Sequence, residues 1–328
     1  MQKRDISIDI LRAIAMLGLI AAHVTTSDFV FQLRSFDVPM MVFLSGVVYS
    51  NSKTASSRYT TYVYKRFVRI IIPAWIFIIL YFGFIKHDEF ATIVSRFCLL
   101  TDWYVWIMRV FFIIAIVAPI ISKFLDSIST IQCYYTLLAL LLFNEILCRL
   151  PIAYGRSADI NVIIIMNVAY VLIFSFGYII KRTKNKISYG LIMFFSMLYV
   201  TVAGWYWYRT GEYVLTQTQK YPPRLYYLSY AFAWFYVLWI LKDRITSLAK
   251  TIHVMDLLSF VGSHTMWIYF WHIVILDYVG VLESYNSRYA VTLIVAVLIT
   301  YFQHQIIEVV GHFCSPLIAR YSKLIFDG

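Results

Sequence analysis

Residues Arg4 to His23 read RDISIDILRAIAMLGLIAAH, an apolar run of about one bilayer's length that Asp9, Arg12 and His23 interrupt. A hydrocarbon core of ~30 Å is crossed by about 20 mostly apolar residues in helical form. Asp9 and Arg12 break the apolar stretch a cleaved leader would need, and no small-residue cleavage site follows, so the segment is expected to stay in the mature protein. Eleven residues separate Arg12 from His23; at about 100° per residue they return to within ~20° of the same helix face, ~16 Å further along the axis. One stripe of the opening helix therefore carries a guanidinium and an imidazole. An arginine deep in a lone membrane helix costs about 2.5–3.5 kcal/mol on insertion scales, so Arg12 is expected to face a cavity or a partner. The blander reading has Arg12 snorkelling to the inner interface and His23 as a satisfied core histidine.

The rest of the chain repeats the pattern of that stretch. Of 328 residues, 61% are hydrophobic and 14% charged, against about 45–50% and about 25% in a soluble domain. A water-soluble fold does not tolerate that much apolar surface. The expected fold is all-α, a polytopic membrane bundle of about ten transmembrane helices over 7–26, 36–50, 70–86, 103–122, 133–149, 161–180, 187–207, 225–241, 263–281 and 289–309, the second and fifth being short. Residues 1–328 are expected to form a single membrane domain with no soluble domain. The net charge of +11 is carried by Lys and Arg between apolar runs, as at a membrane face and not as in a nucleic-acid groove, so no nucleic-acid partner is expected. With the N-terminus inside, the inner loops hold the majority of these cations, including Lys65, Arg66, Arg69, Lys181, Arg182, Lys184 and Lys186. That asymmetry places both termini in the cytoplasm. Trp205-Tyr206-Trp207-Tyr208 marks an outer interface.

Other polar residues within or beside the spans are candidates for function. Arg66 and Arg69, at i and i+3, put two guanidiniums on one side of a helix, suited either to gripping phosphate or to anchoring at lipid headgroups. Asp37 opens the second span, and Ser45 within it would be either interhelical glue or an oxyanion donor. Trp103, Tyr104 and Trp106 would stack on sugar faces or belong to an aromatic belt. Arg109 and Glu145 are expected to pair across spans four and five. Asp277, His272, Gln303, His304 and Glu308 are expected to be structural. His264, His272, His304 and His312 lack close ligand spacing, and the four cysteines lie far apart, so no metal site is expected.

Five segments in order resemble the integral-membrane acyltransferase family 3: Arg12-x10-His23; Phe36-Asp37-Val38-Pro39-Met40 through Gly46; RFVRIIIPAW from Arg66 to Trp75; YPPRLYYLSY from Tyr221 to Tyr230; and VGSHTMWIYFWH from Val261 to His272. The resemblance implies transfer of an acyl group, usually acetyl, from cytoplasmic acyl-CoA to a hydroxyl of a surface polysaccharide or its lipid-linked precursor. It implies a location in the cell (cytoplasmic or inner) membrane. Where the family often has a His before the Val/Met-Pro, this chain has Asp37, so no role of that His carries over.

A sugar hydroxyl attacking a thioester needs a base, and neutral histidine is the side chain tuned for this near pH 7. His23 would be that base, or would carry the acyl group covalently. Arg12 would hold a CoA phosphate or orient the thioester, and Arg66 and Arg69 would grip the nucleotide phosphates. The competing reading is a transporter or flippase of lipid-linked sugars or a small solute. It is disfavoured by the absence of a repeat between halves and by the rarity of proline within the spans.

Overall fold

The computed structural model describes residues 5–24, 27–51, 59–99, 104–150 and 160–327. In chain order its helices are α1 (Ile6–Val24), α2 (Asp28–Leu33), α3 (Asp37–Asn51), α4 (Tyr59–Ile78, continued by a π-helical turn Ile79–Ile85), α5 (Phe90–Arg96), α6 (Trp106–Asp126), α7 (Thr130–Arg149), α8 (Ile160–Ile179), α9 (Asn185–Thr210), α10 (Leu225–Thr251), α11 (Met255–Ser263), α12 (Thr265–Leu276), α13 (Tyr285–Phe313) and α14 (Pro316–Phe326). No β-strand occurs among the described residues. An all-helical backbone is what lipid demands of a chain this apolar, because every N–H and C=O must then find its partner within the segment.

Among the described residues, seven helices are long and apolar enough to cross a membrane: α1, α4 with its π-turn, α6, α7, α8 continued to Arg182, α9 and α13. The remaining three expected spans differ for identifiable reasons. At 15 residues α3 is short, and at 12 so is α12, cut from α11 by a break at His264. Helix α10 is long, but Lys242, Asp243, Arg244 and Lys250 occupy its second half. The fifth expected span is not short: α7 starts at Thr130, on a capping box in which Ser129 and Gln132 satisfy each other's backbone. Helix α4 begins well before the apolar run at 70–86, so Arg66 and Arg69 lie inside it.

The chain packs as two compact units, α6 beginning in one and ending in the other. The first holds α1, α4, α5, the start of α6 and α11–α14. Its tightest seam sets α11 on α1: a Cβ added to Gly262 would lie 1.8 Å from the Asp9 carbonyl oxygen, so only glycine allows that approach. Phe77 of α4 stacks on Phe270 of α12 at 4.5 Å, Tyr289 of α13 donates to the Leu17 carbonyl of α1, and Trp267 of α12 donates to the Ile325 carbonyl of α14.

The second unit holds α2, α3, the rest of α6 and α7–α10. Helices α3 and α8 touch backbone to backbone through Gly46 and Gly177, where an added Cβ would sit 2.1 Å and 2.0 Å from the Phe174 and Phe43 carbonyl oxygens. Around that contact an aromatic core forms from Phe43, Phe176, Phe195, Phe232 and Phe235. Offset and edge-on ring pairs of this kind add about 0.5–1.5 kcal/mol each beyond the area they bury.

Candidate active site

In the first unit α1 is unbroken from Ile6 to Val24, so Arg12 and His23 share the face their spacing predicts. Both are half-buried while most of their helix neighbours are buried. Arg12 is 27% exposed, and its Nη1 lies 3.7 Å from the carboxylate of buried Asp9, one turn earlier. Asp9 is the countercharge that sequence reading registered only as an interruption of the apolar run.

His23 meets a residue that the sequence reading set aside as structural. Its Nδ1 lies 2.9 Å from Nε2 of His272 on α12, with the rings near-parallel at 5.0 Å. His272 is fully buried, and its Nδ1 is hydrogen-bonded to the Tyr269 carbonyl. A carbonyl only accepts, so that Nδ1 carries the proton. With both rings neutral, His272 accepts at Nε2 from the His23 Nδ1–H, which leaves the His23 lone pair on Nε2. Tyr104 presents an edge contact to His23 at 4.9 Å, and its carbonyl receives the Tyr269 hydroxyl at 2.6 Å. The motif VGSHTMWIYFWH ends on His272 and was the available signal; nothing local in the sequence says that this face of α12 meets His23.

One turn beyond His272, Asp277 accepts from the Tyr81 hydroxyl and pairs with Lys86, both at 2.8 Å. The later ends of α1, α4 and α12 are thus gathered together. Arg12 lies ~16 Å back from His23 along α1, and Arg69 ~18 Å back from Tyr81 along α4, in the same direction. The unit therefore has cations at one level and the imidazole pair at another. Arg66 lies half-buried over the Tyr62 ring at 5.3 Å, and Arg69 is exposed.

The other candidates are dispersed. Arg109, buried at the start of α6, donates to the Leu99 carbonyl at 2.7 Å. Trp106 is half-buried beside it in sequence, and Trp103 lies outside the described residues. In the second unit Glu145 binds Arg149, Arg224 and the Leu225 amide that opens α10, at 2.9, 3.3 and 2.8 Å, in place of the expected Arg109 pairing. It caps a helix, as a carboxylate at an N-terminus does. Asp37 is buried in an ion pair with Arg34 at 3.0 Å and also accepts from the Val38 amide. Ser45 Oγ donates to the Val42 carbonyl of its own helix at 2.6 Å, so its proton serves neither as interhelical glue nor toward an oxyanion.

A family model described as an acyltransferase domain matches residues 5–302, a stretch that includes Arg12, His23, Arg66, Arg69 and His272. Neither a comparison with curated proteins nor one with solved structures returned a match.

Proposed function

The chain belongs to acyltransferase family 3 and is a membrane acyltransferase, and from that premise we propose that it moves an acyl group, most simply acetyl, from cytoplasmic acyl-CoA to a hydroxyl of a surface polysaccharide or its lipid-linked precursor. The observation that carries the reading is the hydrogen bond between His23 and His272, with His272 anchored on the Tyr269 carbonyl. It favours the tautomer of His23 whose Nε2 accepts a proton.

His23 Nε2 takes the proton of the acceptor hydroxyl as its oxygen attacks the thioester carbonyl. The tetrahedral intermediate then expels the CoA thiolate as the C–S bond breaks. The imidazolium returns the proton to that sulfur, leaving the acylated acceptor, CoA thiol and neutral His23. Arg66 and Arg69 hold the CoA nucleotide phosphates by charge-assisted hydrogen bonds. Arg12, at the arginine level on the same helix face as His23, guides the thioester arm. In this reading the chain crosses the cell membrane ten times with both termini in the cytoplasm, so that CoA enters at the arginine level and the glycan meets the imidazole level.

Removing the base tests the reading. His23→Ala is expected to lower acyl transfer about 10²–10⁴-fold while the protein still inserts and elutes as a single species from detergent size exclusion. Mass spectrometry of glycans from cells carrying that variant should lose the acyl mass increment. Glycans acylated to the wild-type level would overturn the mechanism.

A further inference from the structure

At the opposite end of α12 from His272, three potential ligands from three separate segments converge. His264 stands at the break between α11 and α12, where its Nδ1 donates to the Phe260 carbonyl at 2.9 Å and faces Ser263 Oγ at 2.8 Å. His304 comes from α13, and its ring stands edge-on to that of His264 with centroids 5.0 Å apart. Asp327 follows α14, and its Oδ1 lies 3.0 Å from His304 Nδ1. One donor atom from each of the three lies within 4.8 Å of the others, and all three residues are half-buried. Along the chain the three are far apart, which is why spacing alone argued against a metal.

We propose that His264, His304 and Asp327 form a binding site for a divalent transition-metal ion of the Zn²⁺ class. Two imidazoles and a carboxylate suit zinc and its neighbours, whereas Mg²⁺ and Ca²⁺ ask for oxygen throughout. At Zn–N and Zn–O distances of about 2.0–2.2 Å, tetrahedral donors stand ~3.4 Å apart. The observed spread closes to that by rotating the Asp327 side chain and the two rings. The Phe260 carbonyl holds His264 in one tautomer with the lone pair on Nε2, the manner in which metal-ligating histidines are oriented. The hydrogen bond between His304 and Asp327 sets two donors face to face across a proton that a cation would displace.

The ion would bridge the α11–α12 break, α13 and the end of α14. Those segments are already tied by Trp267 to the Ile325 carbonyl, Gln303 to the Phe326 carbonyl, both at 2.9 Å, and Lys323 to Glu308 at 2.6 Å. His264 lies ~12 Å along α12 from His272, too far to touch the reacting atoms. The role is therefore a clasp on α14, and it stands independently of the acyl-transfer reading.

Full-length protein purified in detergent, stripped with a chelator and titrated with Zn²⁺ tests the site. One equivalent should be retained through size exclusion, with visible d–d absorption when Co²⁺ is substituted. His264→Ala, His304→Ala and the conservative Asp327→Asn should each weaken Zn²⁺ binding at least tenfold and abolish the rise in melting temperature that Zn²⁺ gives the wild type. His312→Ala, on the same helix outside the cluster, should bind as wild type does. Uptake by the wild type below a tenth of an equivalent overturns the site without recourse to any variant. So does undiminished binding in folded His264→Ala/His304→Ala protein, which would put the ion elsewhere.

Discussion

His272 Nδ1 faces a carbonyl that has no proton to give, and with both rings neutral that constraint passes on to favour a lone pair on His23 Nε2. On the proposed base role of His23, His272 acts at one remove, and by analogy with the partners of metal-bound histidines its loss costs about 10–100-fold. His272→Ala is accordingly expected to lower kcat by that factor, leave the KM for acyl-CoA unchanged and alter the pH profile of kcat. His272→Gln keeps an acceptor near the Nε2 position and should recover much of the loss. Equal activity of wild type and both variants would leave His272 with a packing role only. The arginines answer to a different measurement. Each charge-assisted contact to phosphate is worth about 1.5–3 kcal/mol, so Arg66→Ala/Arg69→Ala should raise the KM for acyl-CoA by tenfold or more with kcat little changed. An unchanged KM would remove the pair from the donor site. The shared face of Arg12 and His23 was legible because a continuous helix has one period, and eleven residues on that period define a face. His272 was not legible as a partner, because it lies 249 residues from His23 and the contact depends on how α12 is rotated against α1.

At the scale of elements, glycine decides which helices touch. Gly262 lets α11 seat its backbone on α1 beside Asp9, which pairs with the Arg12 guanidinium, and the obstacle to any side chain there is a carbonyl that cannot swing away. Gly262→Ala should therefore cost about 1–3 kcal/mol or more through overpacking and lower the melting temperature of the detergent-solubilised protein by several degrees. Gly204 in α9 is the control, since a Cβ there meets nothing within 4 Å. Gly204→Ala should be neutral or stabilising by up to ~1 kcal/mol, as helix propensity dictates. If the two substitutions behave alike, the seam is looser than its geometry states. The sequence located α1, α6, α7, α8, α9 and α13 well because a long apolar run is a strong signal. It misjudged the start of α4 because a helix extends past its apolar part for as long as polar residues can face water. The ninth expected span began at 263, where Gly262-Ser263-His264-Thr265 breaks the helix; what was missed is α11 (Met255–Ser263), too short to give a span's signal.

For the whole molecule the open quantity is parity, the number of crossings before each loop. Helix α9 is 26 residues long, ~39 Å, which exceeds the ~30 Å core and reaches the headgroups. Lys181, Arg182, Lys184 and Lys186 crowd its beginning, and the exposed rings of Trp205, Trp207 and Tyr208 crowd its end. The cations favour an orientation with its start in the cytoplasm, while the rings mark an interface without saying which. That orientation agrees with a cytoplasmic N-terminus only if six crossings precede α9, and five long helices precede it: α1, α4, α6, α7 and α8. The sixth must be α3, whose 15 residues span only ~22 Å, so it crosses only if the bilayer thins locally or its flanks complete the passage. In a variant without the four native cysteines, Glu212→Cys should react with a membrane-impermeant maleimide on intact cells, and Lys184→Cys only after permeabilisation. A fluorescent fusion ahead of Asp5 should at the same time report a cytoplasmic N-terminus. The reverse labelling pattern with that N-terminus inside would mean that α3 does not cross. The ten-crossing topology would then fall, and with it the placement of Arg66 and Arg69 on the cytoplasmic side, because α4 would enter from the opposite face.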